Sequence, residues 1–174
     1  AHSSAHLYGL PVTMFRFFPV YGPWGRPDMA HFRFTAAILE GRPIEVYNHG
    51  EMMRDFTYVD DLVEGVRLLV DVVPARPAAP ERISEGDSLS PVAPYRVVNI
   101  GNSEPIKLMD FIAAIEAATG RLAEKTFMDM QPGDVPATWA DATLLRRLTG
   151  YAPRVGVAEG AARFVAWYRD YYGV

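Results

Sequence analysis

Two arginines stand in contexts that suit the binding of an anion. Arg26 lies between Gly25 and Pro27 in "GPWGRPDMA", and Arg54 opens the segment "RDFTYV". A planar guanidinium can donate two parallel hydrogen bonds to a carboxylate or a phosphate, and Gly-Pro turns hold a loop residue in place. The alternatives are structural: Arg26 could hold its own loop through backbone contacts, and Arg54 could be a surface residue of a strand.

The loop around Arg26 has the composition of a site entrance. Its sequence from Phe15 to Ala30, "FRFFPVYGPWGRPDMA", is rich in aromatic residues and proline, which disfavours both a helix and an interior strand. We therefore predict a rigid loop at the mouth of a site.

Other chemistry-bearing pairs fit structural roles better. His2 and His6 have the i, i+4 spacing of two metal ligands, but no nearby acid completes the set, so we predict a solvated helix end and no metal site. Asp60 and Asp61 resemble a carboxylate pair, yet we predict that they cap a helix. The sequence offers no Ser-His-Asp or Cys-His arrangement.

The composition is that of an ordinary globular protein and excludes several classes of function. The 174 residues suffice for one domain with a core, and the net charge of −4 favours neither a nucleic-acid backbone nor an anionic membrane surface. No apolar run approaches the ~20 residues that span a bilayer. Cysteine is absent, which excludes disulfides and thiolate metal sites and fits a reducing cytoplasm, the compartment that we predict.

Strand-like and helix-like segments alternate along the chain, which predicts an α/β fold. Asp61 and Glu64 have the spacing of a capping box that would open the helix near 62–71. The segment 73–94 holds five prolines and no periodicity, so we predict a surface insertion without chemistry, with disorder left open. We place strands near 12–18, 43–47, 54–59, 96–101 and 125–130, and helices near 1–8, 32–40, 62–71, 108–119, 142–148 and 157–168.

Only the segments 12–18 and 96–101 have the apolar content of strands in a parallel sheet. Two strands alone do not make a stable open sheet. We therefore predict that the chain is the later half of a larger fold.

Three segments, read together, resemble one family. "RFFPVYGPWGRPDMA", "VYNHGEMMRDFTYVDDLVEG" and "QPGDVPATWAD" have the order and spacing found in NAD-dependent nucleotide-sugar epimerases and dehydratases, the extended short-chain dehydrogenase/reductases. The resemblance covers residues 1–174 apart from the insertion, and "GPWGRPDMA" and "VYNHG" are most similar to the UDP-glucuronate 4-epimerases of that family. It implies the C-terminal, substrate-binding half of a Rossmann-type fold, with the last strands of the parallel sheet and a small α/β lobe.

The resemblance also implies that two family motifs lie outside this chain. The family binds NAD with a Gly-x-x-Gly-x-x-Gly turn, where backbone amides approach the pyrophosphate, and its Tyr-x-x-x-Lys pair lowers the pKa of a catalytic tyrosine. Here Gly22 and Gly25 are followed by Asp28, and no tyrosine precedes Lys107 or Lys125, the only lysines, by four residues. We therefore expect no catalytic residue here, NAD bound mainly by a preceding part, and a chain that is inactive alone.

By the resemblance, the loop after the first strand lies between cofactor and sugar. Phe17, Phe18 and Pro19 correspond to the segment that lies against the nicotinamide of NAD. Pro19 stands where relatives carry a Thr or Asn that can hydrogen-bond the sugar diphosphate. Arg26 is expected to face the glucuronate carboxylate.

The remaining implied contacts are to the nucleotide. Arg54 matches a diphosphate-binding arginine, and Val46 and Tyr47 match the positions that pack uracil. Asp134 stands where relatives bind the ribose, and Gln131 replaces an arginine of the UDP-galactose 4-epimerases. Locally, Tyr47 could equally belong to the core, and Asp134 to a Pro-Gly-Asp turn.

The implied activity is the interconversion of UDP-glucuronate and UDP-galacturonate through a 4-keto intermediate, with NAD as cofactor and a UDP-sugar as substrate. The alternatives are a non-catalytic fragment or degenerate lobe that binds a nucleotide sugar, and part of a related sugar-nucleotide dehydratase or decarboxylase. For the full-length protein the family implies a homodimer without nucleic-acid or membrane partners.

Overall fold

The computed structural model describes residues 1–174. Its helices are α1 (His2–Tyr8), α2 (Ala30–Glu40), α3 (Val59–Val70), α4 (Leu108–Thr119), α5 (Thr143–Thr149) and α6 (Val157–Tyr172). Its strands are β1 (Val12–Phe17), β2 (Val20–Tyr21), β3 (Ile44–Tyr47), β4 (Met53–Arg54), β5 (Thr57–Tyr58), β6 (Tyr95–Ile100), β7 (Ile106–Lys107), β8 (Lys125–Met128) and β9 (Ala137–Thr138). Two 3-10 turns span Asn48–Gly50 and Pro80–Arg82.

Parallel pairing dominates the strands. β1 and β6 run side by side, from Val12 opposite Tyr95 to Phe17 opposite Ile100. β2 with β5 and β3 with β8 are also parallel, and β4 lies between antiparallel β7 and parallel β9. The predicted α/β class is confirmed, and the two segments predicted for a parallel sheet pair with each other.

Helices α2, α4 and α6 enclose the larger core together with β3. Its centre is aromatic: Phe56 and Phe111 stack with ring centroids 3.9 Å apart, and Tyr21 and Phe164 are fully buried. The helices predicted near 108–119 and 157–168 are present as α4 and α6, and each buries an apolar face. Gly120, which ends α4, has the left-handed φ of 68° that favours glycine.

A smaller core joins α3 and α5 to β6 through Leu69, Leu145, Val98 and Ile100. The two cores leave the loops that follow β1 and precede α5 at the surface, and these loops carry most of the candidate residues. None of the helices is both long and apolar enough to cross a membrane.

The prediction of one continuous strand at 54–59 is wrong, because two short strands lie there. β4 ends at Arg54 and β5 begins at Thr57, because the buried carboxylate of Asp55 accepts backbone amides from other loops and interrupts the strand. The predicted loop after β1 also contains a strand, since β2 pairs with β5.

The predicted capping box is wrong as well. Helix α3 begins at Val59, so Asp61 lies inside its first turn. The Asp61 carboxylate accepts the hydroxyl of Tyr151 at 2.5 Å and the amides of Arg154 and Val155 at 3.0 and 2.8 Å. The residue ties α3 to the segment before α6 instead of capping a helix.

Residues 73–94 follow the surface beside β6. The Arg96 guanidinium donates to Asp87 at 2.9 and 3.1 Å, with both side chains nearly buried. His2 lies 2.9 Å from the hydroxyl of Ser90, while His2 and His6 are both exposed, so the helix end is solvated as predicted and also contacts this segment.

Candidate functional site

A cavity of about 840 Å³ lies beyond the carboxyl end of β1. In folds with parallel strands, ligands bind outside the carboxyl ends of the strands. The cavity brings together Phe17, Phe18, Pro19 and Arg26, four of the residues predicted from the sequence. Its walls come from the loop after β1 and from residues at the starts of α2 and α3: Phe17–Arg26, Met29, Val59 and Asp60.

Arg26 reaches this cavity from an exposed loop. Its Nε donates to Asp28 Oδ1 at 3.1 Å, and its Nη2 pairs with the other carboxylate oxygen. The hydrogen bond from Arg26 lowers the pKa of the Asp28 carboxyl. Because both side chains are largely exposed, the pair is weak, and a ligand anion can replace Asp28 without leaving a buried charge.

Arg54 and Asp134 form a second group. Arg54 Nη2 donates to Asp134 Oδ1 at 2.6 Å, and Nη1 donates to the carbonyl of Met53 at 2.9 Å. The parallel pairing of β4 with β9 sets Arg54 opposite Thr138 and brings the loop of Asp134 beside it. The Arg54 side chain is 17% exposed, so the guanidinium is fixed but reachable.

Gln131 belongs to the same loop as Asp134. The amide of Asp134 donates to the carbonyl of Gln131 at 3.1 Å, which closes the predicted Pro-Gly-Asp turn, and Gly133 supplies its positive φ of 85°. The side chain of Gln131 is exposed.

Val46 and Tyr47 end strand β3. Val46 is fully buried in the larger core, so only its backbone can face a ligand. Tyr47 is half-buried, and its hydroxyl donates to Glu45 Oε2 at 2.8 Å, which raises the pKa of the phenol.

The predicted residues therefore occupy separate places. Arg54, Asp134, Gln131, Val46 and Tyr47 do not line the cavity that contains Arg26. A second cavity, of about 530 Å³ between α2, β3 and α6, contains none of the predicted residues.

Asp55 is a buried residue that sequence reasoning missed. Oδ1 accepts the amide of Asn102, and Oδ2 accepts the amides of Ser103 and Ala140, each at 2.9 Å. A Cβ on Gly101 would lie 2.8 Å from Oδ2, so glycine is needed there. One carboxylate thus fixes the loops after β6 and β9 beside Arg54. The sequence signal for this role is an acidic residue within a segment that otherwise has the pattern of an apolar strand.

His31 packs against Gly25 in the loop that lines the cavity. It is 3% exposed, and burial lowers its pKa from 6.5 to about 4, so the imidazole is neutral at physiological pH. Its Nε2 lies 3.0 Å from the position of a Cβ on Gly25. The neighbouring Tyr21 hydroxyl is also buried without a partner, and burial raises its pKa.

Comparison with known proteins shows what the chain is similar to. Residues 1–84 match the model of the NAD dependent epimerase/dehydratase family. A probable UDP-glucuronate 4-epimerase of Rhizobium meliloti (strain 1021) is 55% identical over 174 residues, which are 99% of this chain and 50% of the relative. Protein CapI of Staphylococcus aureus is 52% identical over 99% of this chain and 51% of its own length.

A solved structure is also similar to this chain. The UDP-glucuronic acid 4-epimerase from Bacillus cereus, in complex with UDP-glucuronic acid and NAD, superposes with a TM-score of 0.80 at 29% identity, covering 98% of this chain and 49% of that one. The fold is that of the extended short-chain dehydrogenase/reductase epimerases, as predicted. Over residues 1–84 the chain is similar to the NAD dependent epimerase/dehydratase family, and over nearly all of its length it is similar to these relatives. It spans about half the length of the relatives that it matches.

The residues present suit the nicotinamide end of NAD. Phe17, Phe18 and Pro19 give the cavity an apolar wall on which a flat nicotinamide can pack. At the Gly22-to-Gly25 turn, a Cβ on Gly22 would lie 2.6 Å from Val59, so this glycine has a packing role that does not involve a dinucleotide phosphate. Gly22 is required by packing against α3.

Proposed function

We propose that this chain is the nucleotide-sugar-binding portion of an NAD-dependent epimerase that interconverts UDP-glucuronate and UDP-galacturonate through a 4-keto sugar. The observation that carries the proposal is the cavity at the carboxyl end of β1, where an apolar wall and the exposed guanidinium of Arg26 face one space. The relatives named as UDP-glucuronate 4-epimerases, and the Bacillus cereus structure with UDP-glucuronic acid and NAD, support it.

The charges of the substrate suit the two arginines. A UDP-glucuronate carries a diphosphate and a carboxylate. We assign the carboxylate to Arg26, which can leave Asp28 for a planar ligand anion, and the diphosphate to Arg54, which Asp134 and two backbone carbonyls hold in place. Pro19 offers no side-chain hydrogen bond, so recognition of the sugar depends more heavily on Arg26.

The nucleoside would lie against β3 and the loop of Asp134. The backbone of Val46 and the half-buried ring of Tyr47 suit the edge and face of a uracil. The second oxygen of Asp134 is available to accept a ribose hydroxyl, and the exposed Gln131 lies on the same turn. These residues lie outside the cavity that contains Arg26, so the assignments require a ligand that spans both places, and they stand or fall with ligand binding.

When bound, NAD supplies hydride acceptance and return at C4 of the sugar. This chain's own residues contribute binding and orientation: Phe17, Phe18 and Pro19 exclude water beside the reacting carbon, and Arg26 fixes the sugar through its carboxylate. We propose that the whole protein is a cytoplasmic homodimer, in keeping with the family, and that this chain alone has no activity.

The test uses the protein produced from its complete reading frame. It is incubated with NAD and UDP-glucuronate, and products are identified by NMR. We expect UDP-galacturonate as the product, with the same equilibrium mixture reached from UDP-glucuronate or from UDP-galacturonate. Release of carbon dioxide would indicate a decarboxylase, and loss of water from the sugar a dehydratase. Binding without any product would favour the second candidate, a non-catalytic nucleotide-sugar-binding lobe.

A further inference from the structure

We propose that Trp167 and Tyr171 of α6 clamp Trp24 and thereby hold the loop that carries Arg26 in the shape that lines the cavity. The identity of the ligand rests on the proposed function. The clamp itself rests on the geometry of the loop.

Trp24 occupies an unfavourable backbone conformation. Its φ is 61°, in the left-handed region that a bulky residue with a Cβ rarely adopts. Such strain persists only where the surroundings hold it. The Trp24 side chain is 75% exposed, so burial in the core does not supply the restraint.

The restraint comes from the C-terminal part of α6. The Trp24 ring meets Trp167 and Tyr171 edge-on, with centroids 5.3 and 5.1 Å away. Trp167 and Tyr171 stack on each other at 5.2 Å, because residues four apart share a helix face. Trp167 also packs against Phe32 at 5.9 Å, which anchors this two-ring surface on the larger core.

A short segment with little room to move connects Trp24 to Arg26. Trp24 and Arg26 both line the cavity and are separated by Gly25 alone. Gly25 lies against His31 of α2, where a Cβ would come within 3.0 Å of the imidazole. The loop is therefore pressed on α2 from one side and held by α6 from another. A shift of Trp24 moves Arg26, whose fork binds a carboxylate well only when the two are coplanar.

The test compares three variants of the protein produced from its complete reading frame. The double variant Trp167→Ala/Tyr171→Ala removes the clamp, Trp167→Phe keeps an aromatic contact, and Asp170→Ala changes an exposed residue of the same helix turn. Hydrogen exchange followed by mass spectrometry reports on residues 24–29 without any ligand. Calorimetry gives the affinities for UDP-glucuronate and for UDP, which lacks the sugar.

The double variant should exchange faster at residues 24–29 and bind UDP-glucuronate about tenfold more weakly while its affinity for UDP is unchanged. Trp167→Phe and Asp170→Ala should behave as wild type. Unchanged exchange in the loop overturns the clamp, and an equal loss of affinity for both ligands overturns the positioning of Arg26. If the wild-type protein binds neither ligand, the proposed function fails, and the exchange result alone decides the clamp.

Discussion

Arg54 and Asp134 lie 80 positions apart in the sequence, yet Arg54 Nη2 donates to Asp134 Oδ1 at 2.6 Å. The two residues proposed to bind the diphosphate and the ribose are thus one unit. Because Asp134 and the carbonyls of Met53 and Pro136 already hold the guanidinium, a ligand does not have to order a free arginine side chain.

Replacing Arg54 with alanine should weaken the binding of UDP and of UDP-glucuronate alike. A hydrogen bond to a charged group contributes about 1.5–3 kcal/mol, so the dissociation constants should rise about tenfold or more by calorimetry. Arg146→Ala, which removes an exposed arginine of α5, is the matched control and should bind as wild type. Unchanged affinity in Arg54→Ala would remove this residue from the site.

Replacing Asp55 with alanine should destabilise the protein severely. The variant leaves the amides of Asn102, Ser103 and Ala140 without their acceptor. An unsatisfied buried group costs about 1–3 kcal/mol, so the free energy of unfolding should fall by about 3 kcal/mol or more in urea titrations. Asp170→Ala, at an exposed position, should stay within about 0.5 kcal/mol of wild type. A small loss in Asp55→Ala would mean that these loops are held by other contacts.

His31 should make stability depend on pH in the acid range. Its folded pKa of about 4 is below the ordinary value of 6.5, so the unfolded chain binds the proton more readily. The rings against it, of Tyr21, Phe32 and Phe164, are uncharged in this range. Its contribution is complete above about pH 6.5 and is lost as the pH falls towards about 4, a change of about 3 kcal/mol.

The measurement is urea unfolding of wild type and of His31→Leu at several pH values. The difference between the two free energies of unfolding should change across this window and be constant above it. A difference that does not vary with pH would show that His31 titrates normally in the folded protein.

Gly160 should tolerate no side chain while Tyr21 faces it. A Cβ at Gly160 would lie 2.0 Å from the Tyr21 hydroxyl oxygen and 2.6 Å from the ring carbon that bears it. Gly160→Ala should lower the free energy of unfolding by about 1–3 kcal/mol. Tyr21→Phe alone should be neutral or stabilising, because the buried hydroxyl has no partner.

The double variant Tyr21→Phe/Gly160→Ala should recover part of the loss, since the hydroxyl oxygen is gone but the ring remains. Chemical denaturation of all four proteins gives the coupling free energy. A coupling of zero would contradict the contact between α6 and this ring.

Hydrophobic periodicity predicted the helices. The buried positions of α4 and α6 recur at helical spacing, and Gly9, Gly41 and Gly120 end helices in left-handed conformations, so the sequence alone located these elements. The six-residue strands β1 and β6 were predicted from composition, because runs rich in apolar and β-branched residues are typical of strands.

The site's framework was less predictable. β2, β4, β5 and β9 have two residues each, too few for any alternation, and their partners are distant in sequence. From the sequence, Asp55 was predicted to lie in a strand and Asp61 to cap a helix. Their actual roles were missed because the backbone amides that donate to their carboxylates come from loops tens of positions away. The motifs pointed to individual candidate residues, whereas the contact of Arg54 with Asp134 depends on the pairing of β4 with β9.

The proposal that Arg26 binds the carboxylate of a UDP-sugar is tested by a calorimetric titration of UDP-glucuronate, with UDP-glucose as the comparison, into the protein produced from its complete reading frame. We expect saturable binding that is tighter for UDP-glucuronate, and a preference that disappears in Arg26→Ala because we assign the carboxylate to its guanidinium. Absence of saturable binding, or equal affinity for the two sugars in the wild-type protein, would contradict it.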